Sequence, residues 1–267
     1  MTKIVIIKGG VGNQLFQYGL YCNFVERGIK VKALDLCSDH NGYELEKYFD
    51  VQIEKCSSLY KRLFMALLRL PSNIRRKIII DRFRYSEENC ALFYNDFWQS
   101  KRFFPSERWV KFKTLPINDR NRNVLNEMEQ TNSIALHVRR GDYLKVGCSE
   151  LFTNLCNTDY YKNAIDWISK NVGNPHFYIF SNDMDWCRSN IAPPNSVYVD
   201  WNTGDDSIYD MYLMSKCKYV IMANSTFSFW GAFLNENAKM VIYPAQWYNG
   251  FKDDTLDIFP EAWVFFV

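Results

Sequence analysis

The stretch IALHVRRGDYL joins an apolar run to charged groups that suit phosphate chemistry. The apolar residues predict a buried strand, in which alternation places His137 and Arg139 on the same side while Arg140 turns away near the strand end. A guanidinium donates two parallel hydrogen bonds to phosphate, and two such cations side by side require compensating anions or acids. We therefore predict that Arg139 and Arg140 bind an anion. For Arg140, an ordinary ion pair with Asp142 is the structural alternative.

Hydroxyl groups cluster in a second stretch, NSTFSFWGAFLN, directly after the apolar run KYVIMA. The two runs predict a strand that enters a helix, so Ser225, Thr226 and Ser228 would lie at the helix N-terminus. Free backbone N–H groups and the helix dipole favour anions at such an end. Capping of the helix by Ser225 or Thr226 is the alternative, but the surplus of hydroxyl groups favours a bound phosphate.

A glycine turn follows the first apolar run of the chain, in the stretch KIVIIKGGVGNQLFQYGL. The order strand, turn and helix brings backbone N–H groups toward an anion, which makes Gly10 and Gly12 candidate binding residues. The spacing lacks the third glycine of the dinucleotide fingerprint, and no Walker A lysine follows. A turn that only joins the strand to the helix is the alternative.

Metal and acyl-transfer chemistry find no support in the sequence. Asp183 and Asp185 form a D-x-D pair, which holds manganese in some sugar-transfer enzymes, but they stand at a predicted helix start, where capping is favoured. The three histidines lack metal-ligand spacing, and there is no G-x-S-x-G motif. The eight cysteines form no C-x-x-C pair, which is typical of unpaired thiols in a reducing cytoplasm. We expect no bound metal ion.

The elements that position these residues alternate between predicted strands and helices along almost the whole chain. This alternation indicates right-handed βαβ units and parallel sheets, and therefore an α/β fold. The polar run PINDRNRNVLNEMEQTNS is the best candidate boundary, and it divides the chain into residues 1–118 and 119–267. Two such halves predict a cleft between them, with ligands at the carboxyl ends of the strands.

Composition limits the classes of function and location. The chain has 267 residues and a net charge of +2, which argues against a general nucleic-acid binder. Neither a signal peptide nor an apolar run long enough to span a bilayer is predicted. We therefore expect a cytoplasmic protein, which at most contacts the inner face of the cytoplasmic membrane peripherally.

Residues 58–85, here called the basic segment, carry an unusual excess of positive charge. They hold eight Lys or Arg and one acidic residue, a local balance of +7 that leaves −5 for the rest of the chain. Their apolar residues indicate a basic amphipathic helix, broken near Pro71, of the kind that lies on anionic membranes. The alternative is a helix that packs its apolar face on the core and exposes a basic face to solvent.

Several motifs together resemble the bacterial α-1,2-fucosyltransferases of glycosyltransferase family 11. The matching stretches are GGVGNQLFQYGL, NGYELEKYF, HVRRGD, FSND followed by DW, and DMYLMSKCKYVIMANSTFSFWGAFLN. The resemblance implies a GT-B fold, in which two Rossmann-like domains face each other across a cleft. The first would be the acceptor-side domain and the second would bind GDP-fucose. Phe229 departs from the tryptophan expected before Trp230, a change that affects acceptor packing rather than the family.

The resemblance also implies an activity and a set of roles. Family members transfer L-fucose from GDP-β-L-fucose to a galactose 2-hydroxyl, with inversion and without a required metal or cofactor. Arg139 would contact the β-phosphate, while His137 and Asp210 would bind guanine, whose N1–H and N2 amino groups are adjacent donors. Residues that would lie near the phosphates or the fucose are Asn13, Gln14, Thr226 and Ser228.

The general base is the least constrained of these assignments. Inversion requires the acceptor hydroxyl to attack the face opposite the leaving group, with a base to take its proton. Asp142 is the first candidate by position, and Glu44, Glu150 and Asp159 are its rivals. Another GDP-sugar transferase on the same fold, or a sugar-binding module without activity, would be the alternative functions. The acceptor would be a galactose-containing oligosaccharide or a lipid-linked glycan, and no nucleic-acid partner is expected.

Overall fold

The chain folds into two compact α/β units in the computed structural model, which describes residues 2–86, 91–107, 109–249 and 257–267. Unit 1 comprises Met1–Lys113 and unit 2 comprises Thr114–Val267. This division falls just before the boundary that the sequence places between residues 118 and 119. Both units contain a parallel sheet, so the protein has an α/β fold.

Unit 1 is built on a four-stranded parallel sheet whose strands lie in the order β2-β1-β4-β3. The strand that contains Ile4 to Ile7 lies inside this sheet. These four residues are fully buried, as expected for a strand covered on both faces. The strands are β1 (Lys3–Ile7), β2 (Val31–Asp35), β3 (Ile79–Ile80) and β4 (Phe93–Tyr94). The helices are α1 (Val11–Glu26), α2 (Leu45–Tyr48), α3 (Ser58–Leu67) and α4 (Ser72–Ile78).

Unit 2 contains a six-stranded parallel sheet in the order β10-β9-β8-β5-β6-β7. Its strands are β5 (Asn132–Val138), β6 (Pro175–Ser181), β7 (Ser196–Val199), β8 (Tyr219–Ile221), β9 (Met240–Pro244) and β10 (Val264–Phe266). Its helices are α5 (Asp119–Gln130), α6 (Cys148–Leu151), α7 (Tyr160–Asn171), α8 (Met184–Asn190), α9 (Ile208–Met214) and α10 (Thr226–Phe233). Because all six strands run parallel, their carboxyl ends lie along one edge of the sheet.

Strand β5 occupies the interior of this sheet, between β6 and β8. Residues 133–138 are buried, and Ile134, Leu136 and Val138 pack with Tyr160 and Ile179 in the core of the unit. The apolar run that predicted the strand is therefore the most enclosed part of unit 2. Its rigid position fixes the charged residues that follow it.

Close packing against α9 sets the position of α10. A Cβ atom added to Gly231 would come 2.9 Å from Cε and 3.1 Å from Cβ of Met214, so only glycine allows this approach. Trp230, the residue before it, is fully buried. The N-terminus of α10 is thus held in place at the end of β8.

The basic segment contains two helices, α3 and α4, separated near Pro71 as the sequence predicts. Helical structure ends earlier than the charge pattern suggested, because Ile79–Ile80 pairs with Phe93–Tyr94 as an edge strand and Arg82–Arg84 forms a short 3₁₀ turn. The β-branched residues Ile79 and Ile80 are buried in the sheet. Within the described ranges, none of the helices is both long and apolar enough to cross a membrane.

Candidate active site

Polar side chains gather at the carboxyl edge of the unit 2 sheet, where four neighbouring strands end. His137 lies at the end of β5, Asn182 follows β6, Asn202 follows β7, and Asn224 follows β8. Ligands of open parallel sheets bind at this edge. This edge is therefore the candidate active site.

Arg139 directly follows β5 and pairs with an acidic residue three positions later in the chain. Its Nη2 donates to Oδ2 of Asp142 at 2.6 Å, and Asn182 Nδ2 donates to Oδ1 of the same carboxylate at 2.9 Å. The Arg139 Nε is buried and has no hydrogen-bond partner among the described residues. A buried donor without a partner is costly unless a ligand satisfies it. Asp142 thus orients Arg139 and leaves one side of its guanidinium available.

Arg140 has a different partner from the one that the sequence suggested. Its Nη1 forms an ion pair with Asp183, and its guanidinium lies over the Trp186 ring, 5.1 Å from the centroid. The alternative pairing of Arg140 with Asp142 is wrong, because Asp142 is bound to Arg139. Arg140 is therefore engaged in joining β5 to α8, and its contacts are with protein groups.

Asp183 of the D-x-D pair caps a helix, as the capping interpretation predicted. Asp183 Oδ1 accepts a hydrogen bond from the Trp186 amide at 3.3 Å and so caps α8. The Asp185 side chain is fully exposed to solvent and makes a long contact with Arg188 at 3.5 Å. Among the described residues, no group of three or more His, Cys, Asp or Glu is arranged to hold a metal ion.

The ionisation state of Asp142 reflects opposing influences. Burial is the largest and raises its pKa, but the Arg139 charge and hydrogen bonds from Arg139 and Asn182 outweigh it, so the pKa of Asp142 lies below its usual value. A carboxylate with a lowered pKa is a weak proton acceptor at neutral pH. In this conformation Asp142 is better suited to positioning Arg139 than to removing a proton.

His137 is an enclosed, uncharged imidazole. Burial, reinforced by the Arg139 charge, lowers the pKa of His137 to about 3. Its Nδ1 is buried and lacks a hydrogen-bond partner among the described residues. The ring lies 5.8 Å from that of Phe227 in the first turn of α10, so the end of β5 adjoins the start of that helix. A neutral ring with an unused nitrogen is suited to a hydrogen bond with a neutral heterocycle.

Asp210, on α9, carries the most perturbed carboxyl group of the site. Burial raises the pKa of Asp210 from 3.8 to about 8, although Asn202 Nδ2 donates to its Oδ1 at 2.9 Å. The network continues to Asn121 on α5, whose Oδ1 accepts from Asn202 at 3.1 Å and from the Trp201 indole at 2.7 Å. None of these partners is a cation. Uncharged hydrogen-bond donors that bind next to Asp210 would therefore lower its pKa and favour the carboxylate form.

The three predicted hydroxyls at the start of α10 occupy different environments. Ser225 is the N-cap residue, yet its side chain makes no capping hydrogen bond. Thr226 is partly exposed. Ser228 is fully buried, and its Oγ accepts a hydrogen bond from the Ala223 amide at 3.1 Å. Ser228 thus holds the strand-to-helix turn together, which argues against the phosphate contact predicted for it.

Asn224 shapes the same turn from inside. Its Nδ2 donates to the backbone carbonyl oxygens of Thr153 and Trp247 at 2.8 and 3.0 Å. The backbone carbonyl oxygen of Asn224 accepts from the Tyr143 hydroxyl at 2.7 Å. The Oδ1 atom of Asn224 is buried and has no partner among the described residues. It is the third buried polar atom at this edge that lacks a partner, after Arg139 Nε and His137 Nδ1.

The glycine turn of unit 1 is held by Gln14 from within. Gln14 is fully buried, donates to the carbonyls of Gly9 and Gly42 at 2.8 and 2.7 Å, and accepts from the Glu44 amide at 2.9 Å. Its amide is thus used in tying the turn to the loop around Gly42, which argues against the substrate contact predicted for it.

The other predicted residues of this turn lie at the start of α1. Gly10 is the N-cap residue, and a Cβ atom there would come 3.2 Å from Cδ2 of His40. Gly12 is buried in the first helical turn. Asn13 Oδ1 accepts from Gln99 Nε2 at 3.0 Å. The sequence thus placed a compact strand-to-helix turn correctly, with little room for larger side chains.

The three rival bases lie in unlike surroundings. Glu44 is buried in unit 1 and accepts from Asn41 Nδ2 at 3.3 Å. Glu150 is exposed on α6, and Asp159 is exposed at the start of α7. None of the three belongs to the group around Arg139.

The sequence of the chain matches the model of a known protein family. The model of glycosyl transferase family 11 matches residues 72–266, which include all of the candidate site in unit 2. The chain belongs to this family. The protein is therefore a glycosyltransferase, as the resemblance in its motifs predicted.

Relatives of this glycosyltransferase extend over its full length. It is 31% identical over 285 residues to an α-1,2-colitosyltransferase of Escherichia coli, covering 97% of this chain and 96% of that protein. It is 27% identical to the O-antigen biosynthesis glycosyltransferase WbnK of Escherichia coli, covering 97% and 98%. A galactoside α-(1,2)-fucosyltransferase 1 of Ateles belzebuth is 36% identical over 103 residues, which are 38% of this chain and 28% of that protein.

Solved fucosyltransferases share the fold of this family 11 member. An α-1,6-fucosyltransferase NodZ soaked with GDP-fucose superposes with a TM-score of 0.51 at 13% identity, covering 90% of this chain and 94% of that one. The fucosyltransferase NodZ from Bradyrhizobium gives a TM-score of 0.50 at 12% identity, covering 90% and 95%. At this identity the likeness concerns the fold, and it agrees with the predicted GT-B class.

Three asparagines of the glycosyltransferase site were not singled out from the sequence. Asn182 Oδ1 accepts the amides of Arg140 and Gly141 at 3.0 and 3.2 Å, and so shapes the turn that contains Asp142. Asn202 and Asn224 organise the loops after β7 and β8. Each follows a predicted strand by one to three residues, and that position at the carboxyl edge was the signal that could have identified them.

Proposed function

We propose that this protein transfers L-fucose from GDP-β-L-fucose to the 2-hydroxyl of a galactose unit, with inversion at the fucose carbon. The observation that carries the proposal is the set of buried polar atoms at the carboxyl edge of unit 2, the Arg139 Nε and His137 Nδ1 above all. Family membership and the α-1,2 specificity of the full-length colitosyltransferase relative support the linkage.

Arg139 stabilises the leaving diphosphate in this proposal. As the bond between the fucose C1 and the β-phosphate oxygen breaks, negative charge accumulates on GDP and positive charge on the sugar. The unpartnered Nε of Arg139 donates to the diphosphate, and Asp142 keeps the guanidinium in place. The N-terminus of α10, which no side chain caps, adds backbone donors. Donors fixed before the reaction lower the barrier without reorganising.

Guanine is recognised by Asp210 and His137. The N1–H and N2 amino groups of guanine form two adjacent donors that match a carboxylate. Asp210 is enclosed, has no cationic neighbour and supplies this acceptor. Burial disfavours its ionised form, and the hydrogen bonds from guanine offset that cost. The neutral His137 ring provides a hydrogen bond to the same nucleotide.

Proton removal completes the transfer. The acceptor oxygen forms its bond to the fucose C1 from the face opposite GDP, and the proton of the 2-hydroxyl passes to a carboxylate base. Asp142 remains the first candidate by position, although its ion pair with Arg139 favours a positioning role. Glu44, Glu150 and Asp159 remain the alternatives.

A second donor is favoured by one specific observation, the 31% identity to a colitosyltransferase over 97% of the chain. Colitose is the 3-deoxy counterpart of L-fucose, so the two donors differ only at the 3-position. A site that hydrogen-bonds the 3-hydroxyl would discriminate strongly against the sugar that lacks it. GDP-colitose is therefore the donor to compare with GDP-fucose.

Incubation with lactose and either GDP-fucose or GDP-colitose tests the proposal. We expect release of GDP together with a product that carries fucose on the galactose 2-hydroxyl, identified by mass spectrometry and NMR. Faster turnover with GDP-colitose would reassign the donor. GDP binding without turnover on a panel of galactosides would instead indicate a sugar-nucleotide-binding module.

A further inference from the structure

The basic segment exposes apolar residues that the core does not cover. Helix α3 buries only Phe64, and α4 buries none of its residues. Leu59 and Phe83 are 68% and 78% exposed, and Leu63, Met65 and Ile74 are also exposed. Tyr60, Leu67 and Leu68 pack against the unit 1 core on the inner side. The segment therefore has an inner side that packs on the core, and further apolar side chains that remain exposed to solvent.

Unpaired cations lie in the same segment as these exposed apolar side chains. Lys61, Arg62, Arg69, Arg76 and Lys77 have neither a hydrogen-bonding nor an ion-pairing partner for their side chains within the described ranges, and all five are exposed. Two other cations of unit 1 do have acidic partners: Lys32 pairs with Glu54, and Lys111 pairs with Asp50. The excess charge of the basic segment is thus directed to solvent, as it would be for an external anion.

A pocket of about 670 Å³ lies beside these helices. Arg75, Arg76 and Arg84 line it together with the apolar side chains of Leu68 and Phe83. Asp81 also lines it, but its carboxylate is held by Arg84. The pocket combines cationic and apolar walls, which match a phosphate group attached to hydrocarbon.

We propose that the basic segment and its pocket form a docking surface for an anionic lipid bilayer, with the pocket receiving a lipid phosphate headgroup. Exposed Leu, Met, Ile and Phe side chains enter the boundary between headgroups and acyl chains, and the cations remain at the level of the phosphates. Charge complementarity selects this occupant. The surface belongs to unit 1, whereas the candidate donor site belongs to unit 2, and it would bring the enzyme to acceptors on the membrane.

Co-sedimentation with vesicles tests the charge component. The wild-type protein should bind vesicles of phosphatidylglycerol and phosphatidylcholine, bind phosphatidylcholine alone far more weakly, and dissociate at high salt. Replacement of Arg69, Arg76 and Lys77 by Gln should lower the partition coefficient about a hundredfold, since each cation near an anionic surface contributes about fivefold. The matched control replaces the exposed residues Lys30, Lys101 and Lys170 by Gln, with the same net charge, and should bind as the wild type does.

The apolar component has its own variant. Leu59→Ser and Phe83→Ser should each weaken binding about tenfold while preserving its salt dependence, because they remove exposed side chains that enter the bilayer. Equal binding of neutral and anionic vesicles, or equal loss in the segment and control variants, would overturn the proposal. Salt-sensitive binding to heparin without binding to vesicles would also overturn it, in favour of a soluble polyanion.

Turnover of a soluble acceptor separates this inference from the proposed function. Both triple variants should release GDP from GDP-fucose and lactose at the wild-type rate. Loss of turnover in the segment variant alone would place these cations in the reaction and overturn the docking role. Vesicle binding needs no turnover, so it remains measurable if the donor or acceptor proves to be another sugar.

Discussion

At the scale of single residues, the two neighbouring arginines have separate roles. Arg139 keeps a buried donor without a protein partner, whereas Arg140 is fixed by Asp183 and by the Trp186 ring. Sequence position alone gives both the same chemistry. The difference arises from Asp183 and Trp186 at the start of α8, more than forty residues away from Arg140 in the chain.

Arg139→Ala should lower turnover about a hundred- to a thousandfold, because one preorganised donor to the leaving group is lost. Arg139→Lys should recover part of this, since an ammonium supplies charge without the planar fork. The matched variant is Arg140→Ala, which should lower the thermal midpoint and largely keep the turnover per folded molecule. A reversal of these two behaviours, measured with GDP-fucose and by unliganded thermal unfolding, would reject the assignment of Arg139.

Asp142→Asn tests a carboxylate with two candidate roles. We expect turnover to fall far more than GDP affinity, in either role. If Asp142 positions Arg139, the pH dependence of turnover should keep its shape, because no titrating base is removed. If Asp142 is the base, the acidic limb of the profile should disappear. Near-normal turnover would transfer the role to Glu44, Glu150 or Asp159.

Asp210 should make GDP binding depend on pH. Its carboxyl group has a pKa of about 8 in the free protein, and guanine donors favour the ionised form. The affinity for GDP should therefore rise about tenfold per pH unit below pH 8 and level off above it. Titration calorimetry across this range checks the slope. Asp210→Asn should bind GDP weakly and without the pH dependence.

Ionisation of Asp210 should lower the stability of the unliganded protein, whereas it raises the affinity for GDP. The folded-state pKa of Asp210 lies above the unfolded value of 3.8, so the folded protein retains a proton that the unfolded chain releases. The free energy of unfolding therefore falls as pH rises from about 4 to about 8. Asp210→Asn should raise the thermal midpoint at pH 8, and an unchanged midpoint would contradict the buried carboxyl.

At the scale of elements, the turn from β8 into α10 separates structural from binding hydroxyls. Ser228→Ala should lower the free energy of unfolding by about 1–3 kcal/mol, because the buried Ala223 amide loses its acceptor. Thr226→Val, at the partly exposed first position of α10, should leave stability nearly unchanged and lower turnover. Denaturant unfolding and initial rates on both variants distinguish them.

Sequence patterns predicted these elements better than the contacts between them. The apolar runs located β1, β5 and β8 closely, since strands covered on both faces are nearly continuous in hydrophobic residues. Periodicity carries no information on side-chain partners, however, so it does not reveal that Gln14 and Ser228 close turns through their hydrogen bonds. The edge strand Ile79–Ile80 was also missed, because it interrupts a charge pattern typical of a helix.

At the scale of the whole molecule, activity should not depend on a divalent metal. Of the D-x-D pair, Asp183 is engaged by capping and by Arg140, and Arg139 can carry the leaving-group charge. We expect full turnover after dialysis against EDTA. Loss of activity that stoichiometric manganese or magnesium restores would contradict this and would redirect attention to Asp183 and Asp185.

The polar network behind Asp210 ends at a fluorophore. The Trp201 indole donates to Asn121, its ring lies 3.9 Å from the Arg120 guanidinium, and Asn202 connects the network to the Asp210 carboxyl. Indole emission responds to nearby charge and hydrogen bonding, so a change in the ionisation of Asp210 is coupled to an optical signal. Trp201 is thus an intrinsic spectroscopic probe of the proposed nucleotide site, and we expect its emission to follow a titration with GDP without any label.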